Sequence, residues 1–209
     1  MKQIIITRIL FLLTLSPLSY ADNPINKAPW TVDAAFGVTS FSGISKQENH
    51  TAVGRLSLGR GLIITPYWQA GLEAGIQSGN RMHLVLPEES IELLGGLPIE
   101  AEMKPLLDVL ISLKTKPFPG TPVITWLKGG GTYRKLQLDR LSVNHLAGFS
   151  PEIQLGIGYQ INEHATINLG YQRIWGKQPK LTVDAESGTG VLCNLPEQKA
   201  VMIGVSYNF

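Results

Sequence analysis

Hydrophobic and polar residues alternate at the end of the chain. In the final stretch AVMIGVSYNF, the odd-numbered positions are apolar or aromatic and the even-numbered positions are mostly small or polar. Successive side chains of a β-strand point to opposite faces, so this pattern predicts a strand with one wholly apolar face. That face consists of Val201, Ile203, Val205, Tyr207 and Phe209.

The same period of two recurs upstream and predicts eight strands. Alternation is weaker in the second and fifth of them. In the fifth strand Gly129-Gly130-Gly131 interrupts the pattern, and there we expect Leu127 and Tyr133 to face out and Lys128 to face in. The predicted strands are 30–41, 50–59, 64–78, 101–116, 123–136, 149–161, 165–175 and 199–209.

Connections between these strands are alternately short and long. The short ones, at 59–62, 118–122 and 162–164, each join an even-numbered strand to the next odd-numbered one. The longer ones lie at about 41–49, 79–100, 137–148 and 176–198. Short periplasmic turns and long extracellular loops are typical of outer-membrane barrels. For the apolar segment 79–100 we expect a hairpin extension or a short helix over the barrel mouth, and the alternative is an adhesive or lipid-touching surface.

The choice between a soluble β-sandwich and a membrane barrel depends on which way the apolar faces point. Soluble β-proteins alternate as well, but they bury the apolar set. Here the polar faces carry charges in mid-strand, which suits a hydrated or ion-paired lumen, and aromatic residues lie near strand ends, as in interfacial girdles. We therefore predict an all-β, eight-stranded antiparallel up-and-down transmembrane β-barrel. Its lumen charges are Asp33, Arg55, Glu73, Asp108, Lys128 and Glu152, and its girdle residues are Trp30, Trp68, Phe149, Tyr159 and Tyr171.

Eight strands enclose an interior that side chains just fill. An unpaired charge in such an interior is costly, so we expect the lumen charges to pair. Arg55 and Glu73, on adjacent strands, are the easiest pair. A filled and ion-paired lumen predicts a plugged barrel and not a wide porin.

The amino terminus carries the features of a signal peptide. Lys2 and Arg8 precede or flank an apolar run from Ile9 to Leu15, and Ser19-Tyr20-Ala21 is a small-x-small cleavage site. The apolar run is shorter than the ~20 residues that a spanning helix needs. We expect a signal peptide at 1–21, a periplasmic segment at 22–29 and the barrel domain at 30–209, in the bacterial outer membrane.

Composition removes several classes of function. Charged residues make up 16% of the 209 residues and the formal net charge is +2, with no basic patch that favours nucleic acid. The one cysteine, Cys193, excludes a disulfide scaffold. The histidines are scattered without metal-ligand spacing, and Asp184 with Glu186 is better explained as a solvated loop than as a calcium site. We expect no metal and no cofactor.

From Trp30 to Phe209 the sequence resembles the outer membrane protein A-like β-barrel family of proteobacteria, including the opacity and outer membrane protein W-like barrels. The C-terminal pattern carries most of the resemblance, together with the glycine-rich fifth strand after Pro122. The resemblance implies that the barrel-assembly machinery reads Val201, Ile203, Val205, Tyr207 and Phe209. It also implies outer-membrane lipid and lipopolysaccharide as partners. Family members serve as structural barrels, adhesins, immune-evasion factors or narrow pores, so membership does not fix the role.

Three functions follow from these features. The first is a non-enzymatic outer-membrane barrel with a structural or surface-interaction role, for which a host surface ligand is a candidate partner. The second is a narrow, porin-like channel for ions or small apolar solutes. The third, disfavoured, is a lipid A-modifying enzyme. No histidine is followed two residues later by serine, which leaves His145 with Ser142 or Ser150 as the remaining candidate dyad.

Overall fold

A computed structural model describes residues 29–42, 50–83, 100–117, 120–139, 143–184 and 189–209, with the side chains of 81–83 and 100 left out. The expected signal peptide and nearly all of the periplasmic segment lie outside these ranges. Within the described ranges, no helix is long and apolar enough to cross a membrane.

The described ranges form twelve β-strands. Eight long strands build the barrel, and four short ones lie in two of the long connections. In chain order the strands are β1 (Trp30–Phe41), β2 (Thr51–Ile64), β3 (Trp68–Gln77), β4 (Asn80–His83), β5 (Glu100–Met103), β6 (Leu106–Thr115), β7 (Val123–Leu138), β8 (Leu146–Gln160), β9 (Ala165–Ile174), β10 (Lys180–Asp184), β11 (Thr189–Cys193) and β12 (Gln198–Asn208).

The eight long strands close into an antiparallel barrel in the order β1, β2, β3, β6, β7, β8, β9, β12 and back to β1. Closure pairs the first strand with the last, for example Val32 with Tyr207. At its end Trp30 N donates to Phe209 O and Phe209 N donates to Trp30 O, both at 3.0 Å. The predicted eight-stranded up-and-down barrel is confirmed, and both ends of the barrel domain lie at the same rim.

Apolar side chains cover the outside of the barrel and polar side chains fill its inside. Phe36, for example, is 63% exposed, whereas Asp33 and Thr39 on the inward row of the same strand are 9% and 1% exposed. Leu127 and Tyr133 face out and Lys128 faces in, as predicted for the glycine-rich strand. The apolar rows therefore do not meet in a soluble core. In water such a surface would be an interaction or aggregation liability, but in lipid it is the required outer layer.

The expected turn at 59–62 is wrong. β2 continues to Ile64, and its pairing with β3 shifts register between Gly61 and Ile63. The turn lies instead around Pro66, where Thr65 Oγ1 accepts a 3.0 Å hydrogen bond from Trp68 N. Proline fixes a backbone dihedral angle that suits a turn, so the chain turns at Pro66. Gly59 and Gly61 remain within β2. The second predicted strand is therefore longer than expected and the third shorter.

Two long connections contain strands of their own. The predicted strand 101–116 is split into β5 and β6 around Pro105, which has no N–H to give to a ladder. β4 pairs with β5, so the ends of the connection 79–100 extend the β3–β6 hairpin. Residues 84–99, for which a short helix was one of the two expectations, lie outside the described ranges. In the connection 176–198, β10 and β11 form a separate antiparallel hairpin.

A tryptophan packs inside the barrel against two glycines. The Trp126 side chain lies so close to Gly156 and Gly170 that a Cβ on Gly170 would be 2.5 Å from Trp126 Cη2. A Cβ on Gly156 would also collide with the backbone oxygen of Leu169. These glycines provide the space that lets an eight-stranded lumen hold an indole ring.

Replacing Gly156 with valine should destabilise the barrel by about 1–3 kcal/mol, because the added side chain overpacks the lumen. Urea titration of the folded barrel in detergent micelles measures the change. Gly129→Val is the matched control, because Gly129 lies on the outer row and a Cβ there would meet nothing within 4 Å. Equal losses in the two variants would contradict the proposed packing.

Candidate functional site

Arg55 connects three strands at the centre of the lumen. Its Nη1 lies 2.8 Å from Glu73 Oε1 on β3, which is the pair expected from the sequence. Its Nη2 and Nε lie 2.6 and 2.9 Å from the two carboxylate oxygens of Asp108 on β6. The guanidinium reaches β6 by passing over Gly75, where a Cβ would be 2.6 Å from Arg55 Nη2. A two-pronged contact of this kind is among the stronger hydrogen-bonded ion pairs.

Lys128 spans the barrel from one wall to the other. It projects from β7, which lies four strands from β1 in the closed ring. Its Nζ lies 3.0 Å from Asp33 Oδ2 on β1 and 2.7 Å from Glu73 Oε2 on β3. Because β1 and β7 face each other, the contact with Asp33 crosses the full width of the lumen. Asp33, Arg55, Glu73, Asp108 and Lys128 thus form one connected group, which we call the ion-pair layer.

Glu73 is the centre of the ion-pair layer. It accepts hydrogen bonds from Arg55, from Lys128 and from Ser57 Oγ, the last at 2.7 Å. The side chains of Arg55 and Glu73 are only 3% and 2% exposed. Charges so well excluded from water are stabilised by their partners. Loss of one partner is therefore expected to lower the free energy of unfolding.

Glu152, the sixth predicted lumen charge, is buried but differs from the other five. Within the described part of the chain no cation lies within salt-bridge distance of it. Its Oε1 accepts hydrogen bonds from Gln154 Nε2 and Gln172 Nε2, both at 2.6 Å. The expectation that every lumen charge finds an opposite charge therefore does not hold at Glu152. Amide donors, which the sequence pattern did not predict, take the place of a cation there.

Little space remains at the centre of the lumen. A cavity of about 40 Å³ lies beside Asp33, Trp126 and Lys128. Its size allows roughly three water molecules. Asp33 Oδ1 and Trp126 Nε1 are buried without a protein hydrogen-bond partner, as expected of groups that contact trapped water. Towards the periplasmic turns the lumen widens into a mouth of about 440 Å³, lined in part by Lys114 and His164.

Arg134 closes the lumen on the side of the long connections. This fully buried side chain is not among the predicted lumen charges. Its Nη1 donates to Pro196 O at 2.7 Å, and its Nη2 donates to Trp175 O at 3.0 Å and to Ser150 Oγ at 2.7 Å. Trp175 and Pro196 lie near the two ends of the connection that carries β10 and β11. Arg134 therefore clamps the base of this connection to the inner wall.

Above Arg134, an apolar cluster covers the barrel mouth, and we call it the cap. Leu181 and Leu192 of the β10–β11 hairpin point into the cap. Asn144 holds the hairpin in place, because its Oδ1 accepts a 2.6 Å hydrogen bond from Leu192 N. The buried members of the cap are Phe41, Ala101, Met103, Leu136, Leu138, Val143, Leu181 and Leu192.

The structure does not bring Ser150 and His145 together as a catalytic pair. Ser150 Oγ faces the lumen and accepts from Arg134, whereas His145 is exposed. Ser142 lies outside the described ranges. His164 lies on a periplasmic turn and stacks on Tyr207 with ring centroids 5.8 Å apart. Across the described residues, no group of three or more His, Cys, Asp or Glu side chains could hold a metal ion.

The predicted outer-surface residues lie on the lipid-facing side. The C-terminal row and most of the predicted girdle residues are exposed, and Tyr171 is half-buried. Trp30, Trp68 and Tyr159 lie towards the short turns, and Phe149 lies towards the long connections, where it contacts Tyr133. Their placement fits an aromatic girdle. Recognition of the C-terminal row by the barrel-assembly machinery stays a prediction. Cys193 is a free, exposed thiol on β11.

Solved structures of outer-membrane barrels resemble this chain. The outer membrane protein OprG from Pseudomonas aeruginosa is 14% identical, with 87% of this chain and 96% of that chain covered and a TM-score of 0.55. The chain has the fold of an outer-membrane β-barrel. Ail, the attachment invasion locus protein of Yersinia pestis, is 10% identical over 88% of this chain and 100% of that chain, with a TM-score of 0.49. A major outer membrane protein from Thermus thermophilus is 15% identical over 88% and 100%, with a TM-score of 0.48. No family model and no curated protein sequence matches the chain.

Replacing Arg55 with alanine should lower the thermal midpoint of the barrel in detergent, because Glu73 and Asp108 lose their shared cation. Breaking a buried ion pair costs about 3–5 kcal/mol. Differential scanning fluorimetry of the purified barrel measures the shift. Lys104→Ala is the control, since the Lys104–Glu102 pair is 37% and 40% exposed and such pairs contribute about 0–1 kcal/mol. An unchanged midpoint for Arg55→Ala would count against the ion-pair layer.

Proposed function

We propose that this outer-membrane barrel is non-enzymatic and closed, and that it acts through its extracellular surface. The observation that carries the proposal is the filling of the lumen at successive levels. The ion-pair layer crosses the centre, Arg134 lies above it, and the apolar cap covers the mouth. A continuous aqueous path would have to break buried ion pairs and also separate packed apolar side chains.

A narrow channel is the weaker alternative. The periplasmic mouth of about 440 Å³ would admit a small solute, but it leads to Lys128 and Trp126. The cavity beside these two side chains holds only about 40 Å³. An apolar solute that entered from outside would first have to displace the β10–β11 hairpin, which Asn144 and Arg134 hold at its side and its base.

The extracellular side supports a surface role. The β10–β11 hairpin buries Leu181 and Leu192 in the cap, whereas its outward face carries the directly opposed pair Thr182 and Val191. Val191 is 53% exposed. A preorganised surface loses less conformational entropy on binding than a mobile loop does. A ligand on a host surface is the proposed partner class of this face.

The position of Ser150, the described candidate nucleophile, supports a non-enzymatic barrel. Nucleophilic catalysis needs a serine with a base within hydrogen-bond reach. Ser150 Oγ instead accepts hydrogen bonds from Arg134 inside the lumen, where lipid A does not reach. Mass spectra of lipid A with and without the protein would reveal any modification.

The wild-type barrel in a planar lipid bilayer should show no steady conductance, because two barriers lie in series. Deleting 180–193 removes the hairpin from the cap, and Arg55→Ala/Glu73→Ala/Lys128→Ala clears the ion-pair layer. Either change alone should leave the barrel closed, and their combination should give measurable current. A heat-modifiability gel checks that each variant is folded. Steady current through the wild-type barrel would contradict closure.

Cells that express the protein should adhere to epithelial monolayers better than cells that lack it, and Thr182→Asp/Val191→Asp should remove most of the difference. The substitutions place charge on the exposed face of the hairpin without touching Leu181 or Leu192. Glu163→Gln, on an exposed periplasmic turn, is the control and should adhere like wild type. The surface role is wrong if expression of the wild-type protein leaves adhesion unchanged.

A further inference from the structure

Two cations lie directly opposite each other on the outer surface of the barrel. Arg173 on β9 pairs in register with Lys199 on β12, and both project outward. Like charges in this position destabilise a sheet. Glu197 lies between them, with its Oε1 2.9 Å from Arg173 Nε and 3.5 Å from Lys199 Nζ. One carboxylate against two cations leaves the group with a net positive charge.

Along the barrel axis, Arg173, Glu197 and Lys199 lie at the upper boundary of the apolar belt. Lys199 is level with Ser40 of β1, and Arg60 is level with Trp30 at the other end of the same strand. About ten residues separate the two levels, which at roughly 3.3 Å per residue and a tilt of about 40° corresponds to about 25 Å. An apolar belt in this class of barrel is about 25 Å tall. Arg60 and Lys199 therefore mark its two edges.

The Arg173 group lies at the edge that faces the outer leaflet. It adjoins the long connection 176–198, whereas Arg60 lies near the short turns that face the periplasm. The outer leaflet of this membrane consists of lipopolysaccharide, whose lipid A headgroup carries phosphates. The inner leaflet consists of phospholipid.

The positions of Arg173 and Glu197 are fixed by their neighbours. Glu197 N donates to Ser42 Oγ at 2.9 Å, and Glu197 O accepts from Ser42 N at 2.9 Å. Arg173 Cζ lies 5.5 Å from the centroid of the Trp175 ring. Nη1 and Nη2 of Arg173 form no hydrogen bond or ion pair with the described residues. The side chains of Arg173 and Lys199 are 41% and 51% exposed.

We propose that Arg173, Lys199 and Trp175 form a binding site for a lipid A phosphate, with Glu197 orienting Arg173 through its Nε. The free terminal nitrogens of a guanidinium match two phosphate oxygens, and a neighbouring ammonium supplies a point charge. Lipid A is favoured over a sulfated polysaccharide because the two cations continue the lipid-facing rows. Val201 and Tyr171 occupy the next outward positions towards the membrane centre. This site does not depend on a closed lumen.

Titration of the full chain in phospholipid nanodiscs with bisphosphorylated lipid A tests the site. The double variant Arg173→Ser/Lys199→Ser should bind about tenfold or more weakly than wild type, since it loses charge-assisted contacts to phosphate. Arg60→Ser is the matched control. Arg60 also lies over a tryptophan, with its Cζ 5.3 Å from the centroid of the Trp30 ring, but at the periplasmic edge. This control should bind lipid A like wild type.

Glu197→Gln separates a phosphate site from a purely structural ion network. Loss of the carboxylate raises the net charge of the group and should tighten lipid A binding, whereas disruption of a structural network would not. Dephosphorylated lipid A should bind wild type and the double variant equally weakly. The proposal is overturned by unchanged binding in the double variant, by an equal loss in Arg60→Ser, by no tightening in Glu197→Gln, or by tighter binding of a sulfated polysaccharide than of lipid A.

Discussion

Closure of the sheet is the constraint on which the other features depend. Lipid offers no hydrogen bonds to backbone groups, so a membrane sheet must pair its first strand with its last. Here β1 meets β12, and the two ends join through Trp30 and Phe209. In a closed sheet, alternate side chains along each strand point either to the lipid or to the lumen. Every charge on the inner row must then find its partners inside a narrow cylinder.

The width of that cylinder decides which partners are within reach. Lys128 contacts Asp33 on the opposite wall, and Arg55 reaches Asp108 over a strand in between. The second contact requires glycine at position 75, because a side chain there would occupy the space of the guanidinium. Gly156 and Gly170 provide the same kind of space for Trp126. Glycines on the inner row therefore determine which side chains fill the lumen and which ones meet.

Alternation and strand order were sufficient to predict the eight barrel strands, the inward side of the six lumen charges and the Arg55–Glu73 pair, but not the other partners of those charges. Glu152 shows the limit, because its neighbours are Gln154, two residues along the same strand, and Gln172 on β9, and not a cation. Arg134 has the same parity as Lys128, so its inward position could have been inferred from the sequence. Its contacts with the carbonyls of Trp175 and Pro196 could not, since they depend on how the connection 176–198 folds back. The prediction of a turn at 59–62 was wrong because glycine also occurs inside strands.

Interior and rim charges differ in how fully they are compensated. In the ion-pair layer, Arg55 and Lys128 contact three carboxylates, and Lys114, which lines the same cavity as Asp33, adds a third cation to this part of the lumen. At the upper rim, Arg173 and Lys199 share one carboxylate and keep part of their surface free. A compensated interior stabilises the barrel, whereas an undercompensated rim attracts anions. Because the centre of the lumen is filled, the rim and the cap are the surfaces on which we propose ligand contact.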